Sequence, residues 1–428
     1  MTTHIVGAGL AGLACAVALA GHNRDVTVYE SAPNAGGRCR SFFDHGLDRR
    51  LDNGNHLLLS ANRAALAYLA LIGATDTLTG PAEAAFPFVD LESGRRWVLR
   101  PNRGRLPWWV LVPSRRVPGS RLADYRSGLA LLTARPTATV ADCVDPAHPL
   151  YRTFWEPLTL AALNAEPAVA AAAPLRAVLL ETFGRGAAFC RPLLARDGLG
   201  ASLVEPALAF LARREVALTF GRRLRRVVFD GGRISALDFG AAVEIVEPGD
   251  KVVLALPATA VGDLLPGLPV PEDGHAIVNA HFRLDRPPVL PEGLPFIGVI
   301  GGAAHWVFVR NDVASVTVSG AGTLVERPAA DLASLLWADV TRALGLPAGP
   351  VPPVRIIKEK RATFVQTPDN QSRRPPTATR WPNLFLAGDW TATGLPATIE
   401  GAIRSGFAAA AAIGRRNDLF VGSTHKII

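Results

Sequence analysis

The run His4-Ile5-Val6-Gly7-Ala8-Gly9-Leu10-Ala11-Gly12 reads as a short apolar strand that breaks into G-x-G-x-x-G and continues as a helix from Leu10 to Ala20. A second strand pattern, Val26 to Tyr29, ends on Glu30, eighteen residues past Gly12. A dinucleotide fold places the carboxylate that binds an adenosine ribose at about that distance. Gly7 permits the tight turn off the strand, Gly9 lets backbone approach a pyrophosphate, and Gly12 lets the helix pack closely on the sheet. Leu10 and Ala11 open that helix, and its unpaired N–H groups favour an anion there. Strand, glycines, helix, strand and acid in this order predict an adenine-dinucleotide site on a Rossmann-like α/β domain. They do not separate FAD from NAD.

At 428 residues the chain exceeds one ordinary core, so two domains are expected. Hydrophobic content of 49% with 19% charged residues fits a packed enzyme and excludes a disordered chain. The net charge of +8 comes from arginine, since lysine occurs only at Lys251, Lys358, Lys360 and Lys426. This reads as a compositional bias, and nothing resembles a nucleic-acid module. Cys15, Cys39, Cys143 and Cys190 form no C-x-x-C pair and no metal-ligand spacing, which fits a reduced compartment and no bound metal. The dinucleotide motif begins at the fourth residue, leaving no room for a signal peptide, and no apolar run reaches transmembrane length. The expected location is the cytoplasm, with any membrane contact confined to the surface of its inner face.

A second helix pattern starts at Asp197-Gly198-Leu199 and runs to about Arg213, followed by strand-like Val216 to Phe220 and Arg226 to Phe229 and a Gly231-Gly232 turn. Lys251 to Leu256 and Leu384 to Leu386 read as buried strands, and Ile399 to Ile413 as an amphipathic helix. Two stretches of different character interrupt these α/β pieces. The expected organisation is an FAD- or NAD-type domain in three parts, 1–80, 196–265 and 355–421. An α+β substrate domain is built from 81–195 and 266–354, and a frayed tail covers 422–428.

Beyond Glu30 come Gly36-Gly37-Arg38-Cys39-Arg40-Ser41 and Asp52-Asn53-Gly54-Asn55-His56, then Trp155-Glu156-Pro157-Leu158 with Ala162-Leu163-Asn164. Far downstream stands Leu386-Ala387-Gly388-Asp389-Trp390, followed by Gly394-Leu395-Pro396-Ala397-Thr398-Ile399-Glu400-Gly401. Together these resemble the flavin amine oxidase and phytoene desaturase superfamily and, within it, the hydroxysqualene dehydroxylase family, over nearly the whole chain. The resemblance implies FAD. It implies that Glu30 binds the adenosine ribose, that Gly37 and Arg38 run along the dinucleotide, and that Val227 presents backbone to the adenine or is an ordinary core valine. Asp389, with Gly388 allowing close approach, would receive the ribityl or phosphate side. The helix opening at Ile399 would aim its first N–H groups at the flavin.

The same resemblance implies a C30 allylic alcohol whose hydroxyl is replaced by hydrogen, with hydride from reduced flavin and one proton from the protein. His56 and Glu156 are the candidate proton donors, His56 from its Asp-x-Gly-x-His setting and Glu156 from its aromatic neighbours. Asn164 and His305 are candidate pocket residues. His56 could instead be a structural histidine, and Glu156 an exposed or capping glutamate. A carotenoid desaturase, running hydride the other way, and a non-catalytic isoprenoid carrier share the fold. Without a second G-x-G-x-x-G after a strand, no dedicated NAD(P)H domain of that type is expected, and the unidentified electron donor is a separate reductase or a free reduced cofactor. Arg95 to Arg126 packs nine arginines among Trp97, Trp108 and Trp109. That stretch reads either as a headgroup-binding face or as an arginine-rich surface with partly buried tryptophans.

Overall fold

A computed structural model describes residues 1–290 and 293–414. Its first sheet is wholly parallel, in the order 217–219, 25–29, 2–6, 251–254 and 384–386. Both faces of such a sheet must be covered, which explains why its central strands read as unbroken apolar runs. The glycine-motif helix, Leu10–Gly21, is buried at every position from Leu10 to Ala20. It therefore lies between the sheet and other helices rather than at the surface. The closing helix, Ile399–Gly414, crosses it so tightly that a Cβ on Gly406 would stand 2.2 Å from Ala11 O and 2.9 Å from Ala14 Cβ. A three-stranded antiparallel meander, 226–230, 233–238 and 243–245, turns at Gly231-Gly232 and packs on the same domain.

The second sheet has seven strands in the order 354–364, 273–283, 313–318, 306–310, 296–300, 86–90 and 96–99. All neighbours are antiparallel except 296–300 with 86–90. One face, with Val278, Ala280, Phe282 and Val316, packs on the helix Ala329–Leu344. The opposite face carries Asn279, Thr317, Trp306 and Phe88 and looks toward the nucleotide-binding domain. This is an α/β molecule: a Rossmann-like FAD-binding domain assembled from separated segments, with an α+β substrate domain inserted.

One boundary differs from the sequence reading. Val354–Phe364 is a single strand paired along its length with 273–283, so the third nucleotide-domain segment begins after Phe364 and not at residue 355. The expected tail, 422–428, lies outside the described residues.

Short helices fill residues 108–189, gathered around Leu131, Trp155 and Leu163. Two helices there and nearby, Glu156–Leu163 and Glu205–Arg213, are each preceded by a wide π turn, Tyr151–Trp155 and Gly200–Val204. Each carries proline second, Pro157 and Pro206. A proline ring crowds the carbonyl four residues back and offers no N–H, so the preceding turn widens instead of closing at α pitch.

Candidate active site

Residues at the N-terminal motif form a cradle that fits a dinucleotide. Gly7 holds φ +107 and donates its N–H to Tyr29 O at 2.7 Å, and a Cβ there would sit 2.4 Å from Ala255 O. A Cβ on Gly9 would meet nothing within 4 Å, so open space lies directly before the helix N-terminus. Gly36 donates to Ala8 O at 2.8 Å, bringing the Gly36-Gly37-Arg38 segment alongside that space. Leu10, Ala11 and Gly12 contribute the first-turn N–H groups. Glu30 is buried, and its two oxygens accept from Ala8 N at 2.7 Å and Ala32 N at 2.8 Å. Its carboxylate is thereby locked at the end of the second strand with lone pairs to spare for hydroxyl groups. Val227 lies on the edge strand of the meander with its side chain in the core beside Tyr29 and Phe239.

Arg38 and Asp389, 351 positions apart, meet in a two-pronged ion pair, Nη2 to Oδ1 at 2.8 Å and to Oδ2 at 2.7 Å. Arg38 also donates to Ala362 O. The two segments expected to flank the cofactor are thus tied to each other. Gly388 donates to Ser405 Oγ at 2.8 Å, which fixes the start of the Asp389 turn on the closing helix. At the head of that helix Thr398 Oγ1 takes the Gly401 N–H at 3.1 Å, leaving the N–H groups of Ile399 and Glu400 as the forward-facing donors.

Three residues that the sequence reading missed hold this end together. Arg374 is buried, and its guanidinium donates to the carbonyls of Asp389 (2.9 Å), Thr391 (2.5 and 2.9 Å) and Leu395 (2.7 Å) and to Thr393 Oγ1 (2.9 Å). Burial lowers its pKa to about 10, with the Asp389 charge opposing the fall. Glu400 is buried and accepts from Ala64 N at 3.0 Å and Ala65 N at 2.9 Å, capping the helix Arg63–Ile72 from outside. Gln366 spans Leu163 O at 2.5 Å and Ala397 N at 3.2 Å, joining the substrate domain to the late motif. Glu400 and Gln366 each stand as a polar residue directly after an apolar one, whereas Arg374 follows a polar run and carries no such signal.

The four substrate-side candidates occupy different settings. His56 is exposed, and desolvation pushes its pKa below the ordinary histidine value. Asp52 nearby opposes that shift and Arg38 adds to it. Leu57 and Leu59, just beyond it, pack against the cluster of Phe86, Phe296 and Phe308, as do Phe88, Phe154, Phe183 and Trp306. His305 is half-buried, accepts from Ser319 N at 3.1 Å through Nδ1, and is driven by burial to a pKa of about 4. Glu156 is half-buried on the first turn of its helix. Desolvation raises its pKa, Glu166 adds to this and Arg152 opposes it.

The charges that act on His56 and on Glu156 are different residues. Asn164 departs from the pocket role expected of it. It is buried in a left-handed helix end, donates to His275 O at 3.2 Å and Thr363 Oγ1 at 3.1 Å, and accepts from Gly320 N at 2.7 Å. Its amide is consumed in joining three segments because a left-handed C-cap points the side chain back into the sheet. Trp109 also turns inward, edge-on to Tyr125 at 5.3 Å, and Trp97 stacks on Phe88. Of the three tryptophans in the arginine-rich stretch, only Trp108 is exposed, with Arg115 5.0 Å above its ring.

The flavin containing amine oxidoreductase family matches over residues 10–414. The chain is 46% identical to a hydroxysqualene dehydroxylase of Rhodopseudomonas palustris, over 96% of its own length and 97% of that protein's. It is also 46% identical to one of Sinorhizobium fredii, over 95% and 97%. Among solved structures, an oxidoreductase of Methanosarcina mazei superposes with a TM-score of 0.71 at 13% identity, covering 95% of this chain and 99% of that one. Cyclohexylamine oxidase of Brevibacterium oxydans gives 0.67 at 15%, covering 97% and 99%. At those identities the structural likeness speaks for the fold alone.

Proposed function

Because the chain belongs to the flavin containing amine oxidoreductase family and is an FAD-dependent oxidoreductase, we propose that it replaces the hydroxyl of hydroxysqualene with hydrogen, giving squalene in hopanoid and squalene biosynthesis. The C–O bond breaks, a C–H bond forms, and the departing oxygen leaves as water after taking one proton. FAD, when bound and reduced, supplies the hydride. The cradle residues Gly7, Gly9, Leu10, Ala11 and Gly12 bind the pyrophosphate, Glu30 the ribose, and Gly37, Arg38, Gly388, Asp389 and Ile399 the remainder of the cofactor. Val227 lines the adenine end.

His56 holds the proton and gives it to the hydroxyl. The observation that carries this is its setting: His56 is accessible yet desolvated, and Leu57 and Leu59, which follow it in the chain, pack against the same apolar cluster as Phe88 and Trp306, a surface that suits a hydrocarbon. A lowered pKa makes imidazolium a stronger acid, so turnover should quicken as pH falls below neutrality. Glu156, whose raised pKa keeps it protonated longer, is the second candidate donor. His305, its ring tied to Ser319 N, lines the pocket. In single-turnover oxidation of photoreduced enzyme by hydroxysqualene, His56→Gln should slow the step about 100-fold or more. Glu156→Gln is run beside it, and wild-type rates in both variants would overturn both assignments.

Electrons reach the flavin from a separate reductase or a free reduced nicotinamide cofactor. No helix among the described residues is long and apolar enough to cross a membrane. Delivery of the substrate falls to a surface contact with the inner face of a membrane. Leu106, Trp108, Leu111 and Leu122 are exposed within the arginine-rich stretch, and Leu129 and Leu132 just after it, which suits an anionic headgroup layer.

A further inference from the structure

Dehydroxylation needs the C–O bond held in one orientation, and an isoprenoid alcohol offers only its hydroxyl as a handle. The inner face of the seven-stranded sheet changes character along a single row. Asn279, Thr317, Trp306, Gly298, Phe88 and Trp97 are successive cross-strand partners, so they share one face. The polar half ends at Thr317 and the aromatic half begins at Trp306. Phe88 lies 5.5 Å from Trp306 and stacks on Trp97 at 5.6 Å. Asn55 sits over the change, its Nδ2 3.0 Å from Thr317 Oγ1 and 3.4 Å from Val316 O.

The direction of the Asn55 amide follows from a chain of donors anchored on backbone. Asn53 O can only accept, so the Asn279 atom facing it at 3.4 Å is Nδ2. Asn279 Oδ1 then faces Thr317 and takes the hydroxyl proton at 2.8 Å. With that proton committed, Thr317 Oγ1 must accept from Asn55, and Asn55 Oδ1 is turned away from the sheet. Oδ1 has no hydrogen-bond partner among the described residues, although Asn55 is only half-exposed. Gly54 marks how closely these groups gather: His56 Nε2 and Asn279 Nδ2 would lie 3.8 and 3.3 Å from a Cβ placed there.

We propose that Asn55 Oδ1 accepts the hydrogen bond of the substrate hydroxyl and so sets the C–O bond between His56 and the aromatic floor. This rests on the dehydroxylase reading given above. Asn55 takes no proton and no electron. It holds the O–H so that an oxygen lone pair faces His56, and releases the oxygen as water once the C–O bond has broken.

The test titrates oxidised holoenzyme with hydroxysqualene and with squalene, following the flavin absorbance. Wild type should favour the alcohol by about tenfold or more, the worth of one desolvated hydrogen bond. Asn55→Leu should abolish that preference while flavin content and affinity for squalene stay at wild-type levels, which a purely structural loss would not do. Thr317→Val frees the amide to turn and should reduce the preference in part. It decides the question by the same readout if Asn55→Leu does not fold. A full wild-type preference in the variants that fold would overturn the role of Asn55. A wild type that neither distinguishes alcohol from hydrocarbon nor dehydroxylates the alcohol when reduced would sink the dehydroxylase reading, and this proposal with it.

Discussion

Arg374 shows how a single side chain can hold a motif it does not belong to. Its fork reaches the carbonyls of Asp389, Thr391 and Leu395 at once, so the turn that bears Asp389 is bent around a cation. Lysine has the charge but not the planar fork, and would leave buried carbonyls unpaired. Arg374→Lys should therefore cost about 2–4 kcal/mol of stability and weaken flavin retention. Thermal unfolding and the ratio of flavin to protein absorbance after gel filtration measure both, and a variant with wild-type values for each would show the cage to be dispensable. Gly7, Gly9 and Glu30 were legible in the sequence because a dinucleotide imposes fixed spacing on one local stretch. Arg374, Glu400 and Gln366 were not, because each bonds backbone far away in the chain, and backbone leaves no mark on residue type. Asn164 misled for a related reason: its neighbours in sequence are apolar, but its partners are the carbonyl of His275 and the hydroxyl of Thr363.

Among elements, the crossing of Leu10–Gly21 with Ile399–Gly414 is the tightest constraint. At Gly406 a methyl group would meet Ala11 O and Cys15 N, both backbone atoms that cannot yield without moving the first helix. Gly406→Ala should cost about 2–3 kcal/mol through overpacking, despite raising helix propensity. Its signature would be a lowered unfolding midpoint in urea with an unchanged slope, and a rise in the midpoint would refute the tight crossing. Helix and strand identities were readable where periodicity was strong, including both halves of the parallel sheet. The π turns before Pro157 and Pro206 and the membership of Val354–Phe364 in the second sheet depend on what the chain packs against, which no local window contains.

For the whole molecule, buried histidines predict the response to acid. His281 is almost wholly buried and, with His305, has its pKa lowered by desolvation to about 4, while His275 shifts the same way. Near neutrality these rings are neutral in both folded and unfolded chains and contribute no pH dependence. Below the ordinary histidine value of 6.5, the unfolded chain takes up protons that the folded chain refuses, so stability falls until pH approaches 4. Between about pH 6.5 and pH 5 the loss should reach about 2 kcal/mol for His281 and less for half-open His305. Urea unfolding at the two pH values would reveal it, and a smaller loss in His281→Asn would assign its share. The outer surface makes a second prediction at this scale. Co-sedimentation with vesicles containing anionic lipid should exceed that with neutral lipid and fall several-fold in Trp108→Ser/Leu111→Ser. Equal binding by that variant would leave the exposed leucines without a membrane role.

The ion pair between Arg38 and Asp389 also bears on biosynthesis. A ribosome delivers the glycine-motif helix first and its covering helix only some 390 residues later, so an element apolar on every side waits through almost all of translation for its lid. The cofactor cradle is therefore among the last parts to be completed, and flavin can be captured only as synthesis ends.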